Sequence, residues 1–304
     1  MSDFLIEGLA TSACNIPPHA DVIAVRQLSP EDMRARARQM LNQIGEHEVC
    51  SFDRGDWIRR DDHSVAYLPH GASAIVYHAS GGMKYDSGLA PMEAMFERMH
   101  DKEHLTGMVA AAAAKLRIDQ WAGDQGKIAF ERLWQMKAQG ADRDANMSEP
   151  VLTRVVGAYR HFVDGIPVLG AASVALRLAG SGALDSMSVQ VRASASETLE
   201  RVRIIDQELA ARQISLQLSS LLGQAKEPLP RDVIESYGMQ FGYINLGKRH
   251  AQRVLAPVFM AQVSLRHKLE RQAYVLVVAA TEKSYLPICH CGDEALPARS
   301  RARG

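Results

Sequence analysis

The clearest alternation of apolar and polar positions lies in the middle of the chain, over residues 151–192. In Val151–Val163 the odd positions favour a pleated sheet and two arginines point the other way, as in a strand with one buried face. Asp164-Gly165 suits the positive φ angles of a tight hairpin turn. Two more strands follow, at residues 168–178 and 187–191. The pattern therefore predicts an antiparallel meander with one face free to pack on helices.

The first part of the chain has a more helical pattern. Residues 1–29 are predicted to form an irregular lead-in, and Pro30 opens a helix because proline and acidic residues suit a first turn. The run 63–80 predicts a hairpin with its turn near Gly71. Residues 91–140 are predicted to form two or three helices, since apolar side chains recur there at helical spacing.

Beyond the meander, the pattern alternates between helix and strand. The run 194–197 has the spacing of a capping box and predicts a long helix after it. A short helix is expected at residues 231–237. A last strand pair is predicted at Pro257–Leu265 and Tyr274–Ala280. The second member of the pair is apolar on both faces, as expected for a central strand covered on both sides.

Length and composition indicate a globular protein of about two domains. The chain has 304 residues, of which 47% are hydrophobic and 23% charged, so it has ample material for a buried core. The polar, turn-rich run 140–149 is the best candidate for a boundary. We therefore predict an α+β fold. Residues 1–145 form a helix-rich portion with one β-hairpin, and residues 146–304 pack helices on antiparallel sheets.

The charge balance, the cysteines and the N-terminus argue against several classes of protein. The 35 basic and 35 acidic side chains cancel, which argues against a nucleic-acid-binding protein. Four cysteines are too few and too scattered for a disulfide scaffold. The N-terminus has no basic segment followed by an apolar one, and no apolar run approaches the roughly 18–20 residues needed to span a bilayer. We expect a cytoplasmic protein with no membrane partner.

The second half of the chain resembles a known family. The run DGIPVLGAASVALRLAGSGAL contains a G-[IV]-P-V-x-G strand and a hairpin with a glycine-containing turn, and it looks like the fungalysin/thermolysin propeptide (FTP) motif. The later runs LAPVFMAQVSL and AYVLVVAATEKSYLPI, with the helix predicted before them, are similar to the PepSY module of thermolysin-like protease precursors. The resemblance covers about residues 150–290. It implies cystatin-like helix-on-sheet units that bind or restrain a protease and assist its folding.

The chain departs from that family because it contains neither the protease domain nor an H-E-x-x-H sequence. The resemblance therefore implies a non-catalytic, propeptide-like protein that binds a peptide or protein, for example the precursor peptide of a ribosomal natural-product (RiPP) pathway. A protease inhibitor or chaperone is an alternative. A sheet edge can accept an extended peptide as an added strand, and the candidate edge strands are Val151–Val163 and Pro257–Leu265. A homodimer, in which a second copy covers the edge, stays open.

A rival prediction from another class is a zinc-dependent peptidase. His100, Glu103 and His104 fit the pattern H-x-x-E-H. On a helix the two histidines share a face, as two ligands of one zinc ion require, and Glu103 would be the general base. Glu131 and Glu149 are formally available as the acid that completes the site. The simpler interpretation is a charged, solvent-exposed helix face.

Cysteines near the C-terminus offer a second set of metal ligands. Cys289, His290 and Cys291 are soft ligands, but a closed zinc site needs four, and Cys14 and Cys50 are distant in sequence. Incidental thiols at a strand end are the simpler interpretation. We therefore predict no cofactor, with zinc as the alternative.

Three histidines lie on or near the predicted hairpin. They are His63, His70 and His78, and a surface or hydrogen-bonded histidine is expected at each. The glycine-rich loops lack a strand–GxGxxG–helix context and a Walker A lysine, so the sequence does not support a nucleotide site.

Overall fold

The computed structural model of the chain describes residues 3–48, 57–97, 101–123, 126–192, 194–223, 230–267 and 270–288. These residues form four α-helices and fifteen strands in mostly antiparallel sheets, so the α+β class is confirmed. The helices are α1 (Asp3–Ser12), α2 (Pro30–Glu48), α3 (Lys102–Lys115) and α4 (Gln207–Leu221). The strands are β1 (His19–Val25), β2 (Trp57–Arg59), β3 (His63–Tyr67), β4 (Ser73–Tyr77), β5 (Met83–Asp86), β6 (Gly126–Ala138), β7 (Val151–Val163), β8 (Ile166–Leu169), β9 (Val174–Leu178), β10 (Leu184–Val189), β11 (Ser194–Arg203), β12 (Ile234–Ile244), β13 (Val254–Leu255), β14 (Pro257–His267) and β15 (Glu270–Ala279).

The chain divides into two compact units. The first unit comprises Met1–Ile23, Thr198–Ile244 and Val254–Gly304, and the second comprises Ala24–Glu197 and Asn245–Arg253. The boundary predicted at residues 140–149 does not separate them, because this run connects β6 to β7 inside the second unit. Its polar composition instead builds a hairpin loop, a structure that the same turn-forming residues favour.

The second unit contains the predicted meander. β7 pairs with β9 and β9 with β10, and the sheet continues through β5, β4 and β3 to β2. The hairpin from β7 to β8 turns at Asp164 and Gly165, whose φ angles of 51° and 79° confirm the predicted turn. The hairpin of β3 and β4 is also confirmed.

Helices α2 and α3 cover the sheet of the second unit. Helix α3 packs on β7 and β9, and α2 packs on β4. The packing is tight at Gly157, where an added Cβ atom would lie 2.0 Å from Cγ1 of Val109. Glycine is therefore needed at this position for the helix to approach the strand.

The first unit packs two helices on three antiparallel strands. Helices α1 and α4 contact each other, α1 contacts β12, and α4 contacts β15. The sheet order is β12-β14-β15. The last strand pair is therefore confirmed, but β15 pairs with β14 alone among the described strands and is not the predicted central strand.

Two stretches that were predicted to be helical form strands. Residues 126–138 and 194–203 form β6 and β11. The run 194–197 is not a helix cap; Asp206 is the real cap, and its side chain accepts a hydrogen bond of 2.7 Å from the Glu208 N–H. Burial alternates with a period of two at the end of β11, as in a strand and not a helix: Val202 and Ile204 are buried, whereas Arg201 and Arg203 are exposed.

Two shorter predictions are also wrong. The lead-in at residues 1–29 contains α1 and β1, and the apolar stripe of α1 is only one turn or two long, which hid it among prolines and serines. At residues 231–237 only Arg231–Val233 form a 3-10 turn, and β12 begins at Ile234.

Candidate peptide-binding edge

The two predicted edge strands both lie inside sheets. β7, which is the predicted strand Val151–Val163, pairs with β6 on one side and with β8 and β9 on the other. β14, which contains Pro257–Leu265, pairs with β12 and β15. The prediction is wrong for both strands. Alternation shows that one face of a strand is buried, but it carries no information on how many neighbours the strand has.

The sheet of the second unit has a long terminal strand in β6. Among the described strands β6 pairs only with β7, in register from Gly126 opposite Val163 to Ala138 opposite Val151. A strand that is paired on one side leaves N–H and C=O groups along its other edge, and a long edge of this kind is a template for an added strand. β6 contains no proline that would remove a donor.

Two other terminal strands, β2 and β15, are less suitable for adding a strand. β2 is three residues long. On β15 the carbonyl of Val277 already accepts a hydrogen bond of 3.4 Å from Nε2 of Gln217 on α4. β6, with thirteen residues, is therefore the most extended candidate edge in the part of the chain that the structure describes.

Side chains of β7 hold β6 in place. Arg160 forms a two-pronged ion pair with the Glu131 carboxylate, with nitrogen–oxygen distances of 2.7 and 3.0 Å. Burial alone would raise the pKa of Glu131, but the hydrogen bonds and charge of Arg160 outweigh it and hold the pKa below its usual value. The Thr153 hydroxyl donates to the Met136 carbonyl at 3.0 Å. These contacts attach β6 firmly to β7, and the Glu131 carboxylate is engaged in a structural ion pair.

The exposed side of β6 combines an apolar anchor with positive charge. Trp134 is 55% exposed and Met136 is 42% exposed. The Arg132 guanidinium lies 5.6 Å from the centre of the Trp134 ring, a distance at which cation and ring attract each other. Lys127 and Lys137 are exposed and make no ion pair with any described residue. Such a surface favours a segment that carries both apolar and acidic side chains.

The structure describes only part of the predicted zinc motif. Helix α3 begins at Lys102, and its N-cap, Asp101, has non-helical φ and ψ and accepts a hydrogen bond of 2.8 Å from the His104 N–H. His100 lies outside the described residues, so its position relative to His104 stays a prediction. Glu103 and His104 are exposed, and no group of three or more possible metal ligands occurs among the residues that were described.

The remaining candidate ligands are scattered. Cys50 and the run Cys289-His290-Cys291 lie outside the described residues, and Cys14 is an exposed free thiol. Glu149 is an exposed residue of the loop between β6 and β7.

Two of the three hairpin histidines, His63 and His78, have local hydrogen-bond partners. Nδ1 of His63 lies 2.5 Å from Oδ1 of Asp62, and this hydrogen bond is the main reason why the pKa of Asp62 is lowered. His70 occupies the turn between β3 and β4 with a φ of 60°. His78 is bonded to Ser64.

The sequence analysis missed the residues of β6 because Phe130 and Trp134 are four apart, a spacing that also fits a helix. The discriminating signal was present in the run GKIAFERLWQMKA, where the even positions 128, 130, 134 and 136 are apolar and most of the odd positions are polar. A bulge between Phe130 and Arg132 shifts the alternation by one residue and weakens that signal.

No described helix combines the length and apolar character needed to cross a membrane. Neither the known family models nor the curated proteins include a match to this chain.

Proposed function

We propose that the chain binds a peptide or protein, a role that is itself non-catalytic, and that its ligand is an extended segment with apolar and acidic residues that adds to β6 as a further strand. The observation that carries the proposal is a thirteen-residue terminal strand that presents an exposed tryptophan. Backbone pairing supplies affinity in this mode of binding, and side chains of alternate residues supply specificity.

The expected energetics follow from the contacts. Each new backbone hydrogen bond contributes a net of about 0.5–1.5 kcal/mol, and ordering of the ligand offsets much of the sum. Trp134 is the natural anchor, since buried aromatic anchors dominate such interfaces and their truncation costs about 2 kcal/mol or more. Lys127 and Lys137 steer acidic segments to the edge and make the association rate depend on salt.

The resemblance of residues 150–290 to propeptide modules suggests the class of partner. A propeptide-like protein fits a role in holding an extended precursor peptide, such as the substrate peptide of a RiPP pathway. The sheet edge at β6 supports this role because a precursor peptide is unfolded and can adopt the strand conformation at little cost in lost structure.

The test is selection of ligands from a displayed peptide library, followed by affinity measurements on the selected peptide. We expect enrichment of acidic and apolar residues in alternation. Trp134→Ala should weaken binding roughly thirtyfold, the equivalent of about 2 kcal/mol. Val275→Ala is the matched control, because Val275 is 63% exposed on another terminal strand, β15, and it should leave affinity unchanged.

Hydrogen exchange locates the bound segment. Amides of β6 should gain protection in the complex, whereas those of β15 should not. Equal loss of affinity in the two variants, or protection on β15 alone, would remove β6 from the proposal.

A further inference from the structure

The second unit contains a serine–histidine pair that peptide binding does not use. Oγ of Ser64, on β3, lies 2.8 Å from Nε2 of His78, which directly follows β4. The hairpin fixes this pair: Ser64 lies opposite Val76, and the His78 N–H donates to the Asp62 carbonyl at 2.9 Å.

The hydrogen bonds of His78 define its tautomer. Nδ1 lies 3.3 Å from the backbone carbonyl of Asp61. A carbonyl oxygen can only accept, so Nδ1 carries the proton, and Nε2 of the neutral ring is then an acceptor. The Ser64 hydroxyl must therefore donate to Nε2. This is the relation between a serine nucleophile and its general base, with the base oriented by a third group.

The pair opens into a cavity of about 330 Å³, the lower end of the range typical of small-molecule sites. The apolar part of its lining comes from α2, from the segment before it and from β2 and β4: Leu28, Pro30, Met33, Ala37, Trp57 and Val76. A short aliphatic or aromatic group fits such a lining. We refer to this cavity, with Ser64 and His78, as the Ser64 cavity.

The charge of the Ser64 cavity is unbalanced. Arg34 and Arg59 line it, and neither guanidinium group makes a hydrogen bond or ion pair with any residue that the structure describes. Among the described residues of the lining, Asp61 supplies the one acidic side chain. Two uncommitted guanidinium groups favour an anionic ligand, because guanidinium matches carboxylate geometry with two parallel hydrogen bonds.

We propose that the Ser64 cavity is an acyl-transfer site that hydrolyses small esters whose acyl group ends in a carboxylate. Ser64 is the nucleophile, His78 is the general base, and Arg34 and Arg59 hold the carboxylate of the substrate. The proposal rests on residues other than those of β6 and is independent of peptide binding.

The reaction balances with water as the second reactant. Oγ of Ser64 bonds to the ester carbonyl carbon while its proton passes to Nε2 of His78. The bond to the leaving alkoxide breaks, and the alkoxide takes that proton. Water then attacks the acyl-serine, gives a proton to His78 and releases the acid, and the proton returns to Ser64. The products are one carboxylic acid and one alcohol.

A fluorophosphonate probe tests the nucleophile directly. Intact mass should show one adduct, and tandem mass spectrometry should place it on Ser64. The adduct should disappear in Ser64→Ala and form at least tenfold more slowly in His78→Gln. Ser188→Ala and His70→Gln are the matched controls and should label at the wild-type rate. No adduct on the wild-type chain, or an adduct on another serine, overturns the proposal without reliance on any variant.

Ester kinetics test the charge preference. The 4-nitrophenyl monoester of adipic acid and 4-nitrophenyl hexanoate have acyl chains of equal length and differ in the terminal carboxylate. We expect kcat/KM to favour the adipate ester at least tenfold, and Arg59→Gln to lower it for that ester alone. An equal loss for both esters, or a preference for hexanoate, refutes the assignment of Arg34 and Arg59.

Discussion

His161, on β7, is 1% exposed, and its Nε2 atom has no hydrogen-bond partner among the residues that the structure describes. Burial lowers the pKa of His161 from 6.5 to about 4; a hydrogen bond to the Ala122 carbonyl opposes this, and the charge of Arg36 adds to it. The neutral ring is therefore the form that the folded chain accommodates.

The stability of the chain should consequently fall in acid. Between pH 6.5 and about 4 the unfolded chain binds a proton on His161 that the folded chain resists. The contribution of the neutral His161 ring to stability is complete above pH 6.5 and is lost as the pH falls toward 4. A tenfold change in proton affinity is worth about 1.4 kcal/mol, so the whole loss is about 3 kcal/mol.

Urea unfolding at a series of pH values from 7.5 to 4.5 measures this loss. His161→Gln removes the titration and keeps a donor for the Ala122 carbonyl, so the difference between wild type and variant isolates the contribution of this ring. His70→Gln is the control, since His70 is exposed in a turn. The same pH dependence in wild type and His161→Gln would refute the reasoning.

Two further predictions concern packing in the second unit. Gly157→Ala should lower the free energy of unfolding by about 1–3 kcal/mol, because its Cβ would collide with Val109; thermal unfolding measures the loss, and a double-mutant cycle with Val109→Ala should show coupling between the two sites. Arg192→Met should cost about 3 kcal/mol or more, because the buried guanidinium donates to the carbonyls of Ala79, Gly247 and His250. Arg192→Lys should recover only part of the loss, since an ammonium has fewer donors, and full recovery would contradict the role of these bonds.

The predictions that hold depend on local chemistry. The turn at Asp164-Gly165 and the hairpin before Gly71 are encoded by residues that tolerate positive φ, and the flanking alternation then fixes the strands. These features could be predicted from the sequence because each depends on residues that lie within about ten positions of one another.

The predictions that fail depend on distant partners. β5 pairs with β10, so that Met83 lies opposite Val189 more than a hundred residues later, and no local pattern specifies such a neighbour. For that reason the prediction that Val151–Val163 and Pro257–Leu265 are edge strands was wrong. The Ser64 cavity has the same origin, since the β3–β4 hairpin brings Ser64 to His78, whereas α2 and β2 supply Arg34 and Arg59.

The division of the first unit over three stretches of chain has a consequence for synthesis in the cell. About 175 residues separate Ile23 from Thr198, and a ribosome takes roughly 10–35 s to add them. Helix α1 is therefore synthesised well before α4 and β12, the elements that it contacts, and Ala24–Glu197 emerges in between and begins to fold. During that interval the apolar stripe of α1 (Leu5, Ile6, Leu9 and Ala10) has no sheet to cover it, so this segment of the nascent chain exposes an apolar surface that a ribosome-associated chaperone can bind.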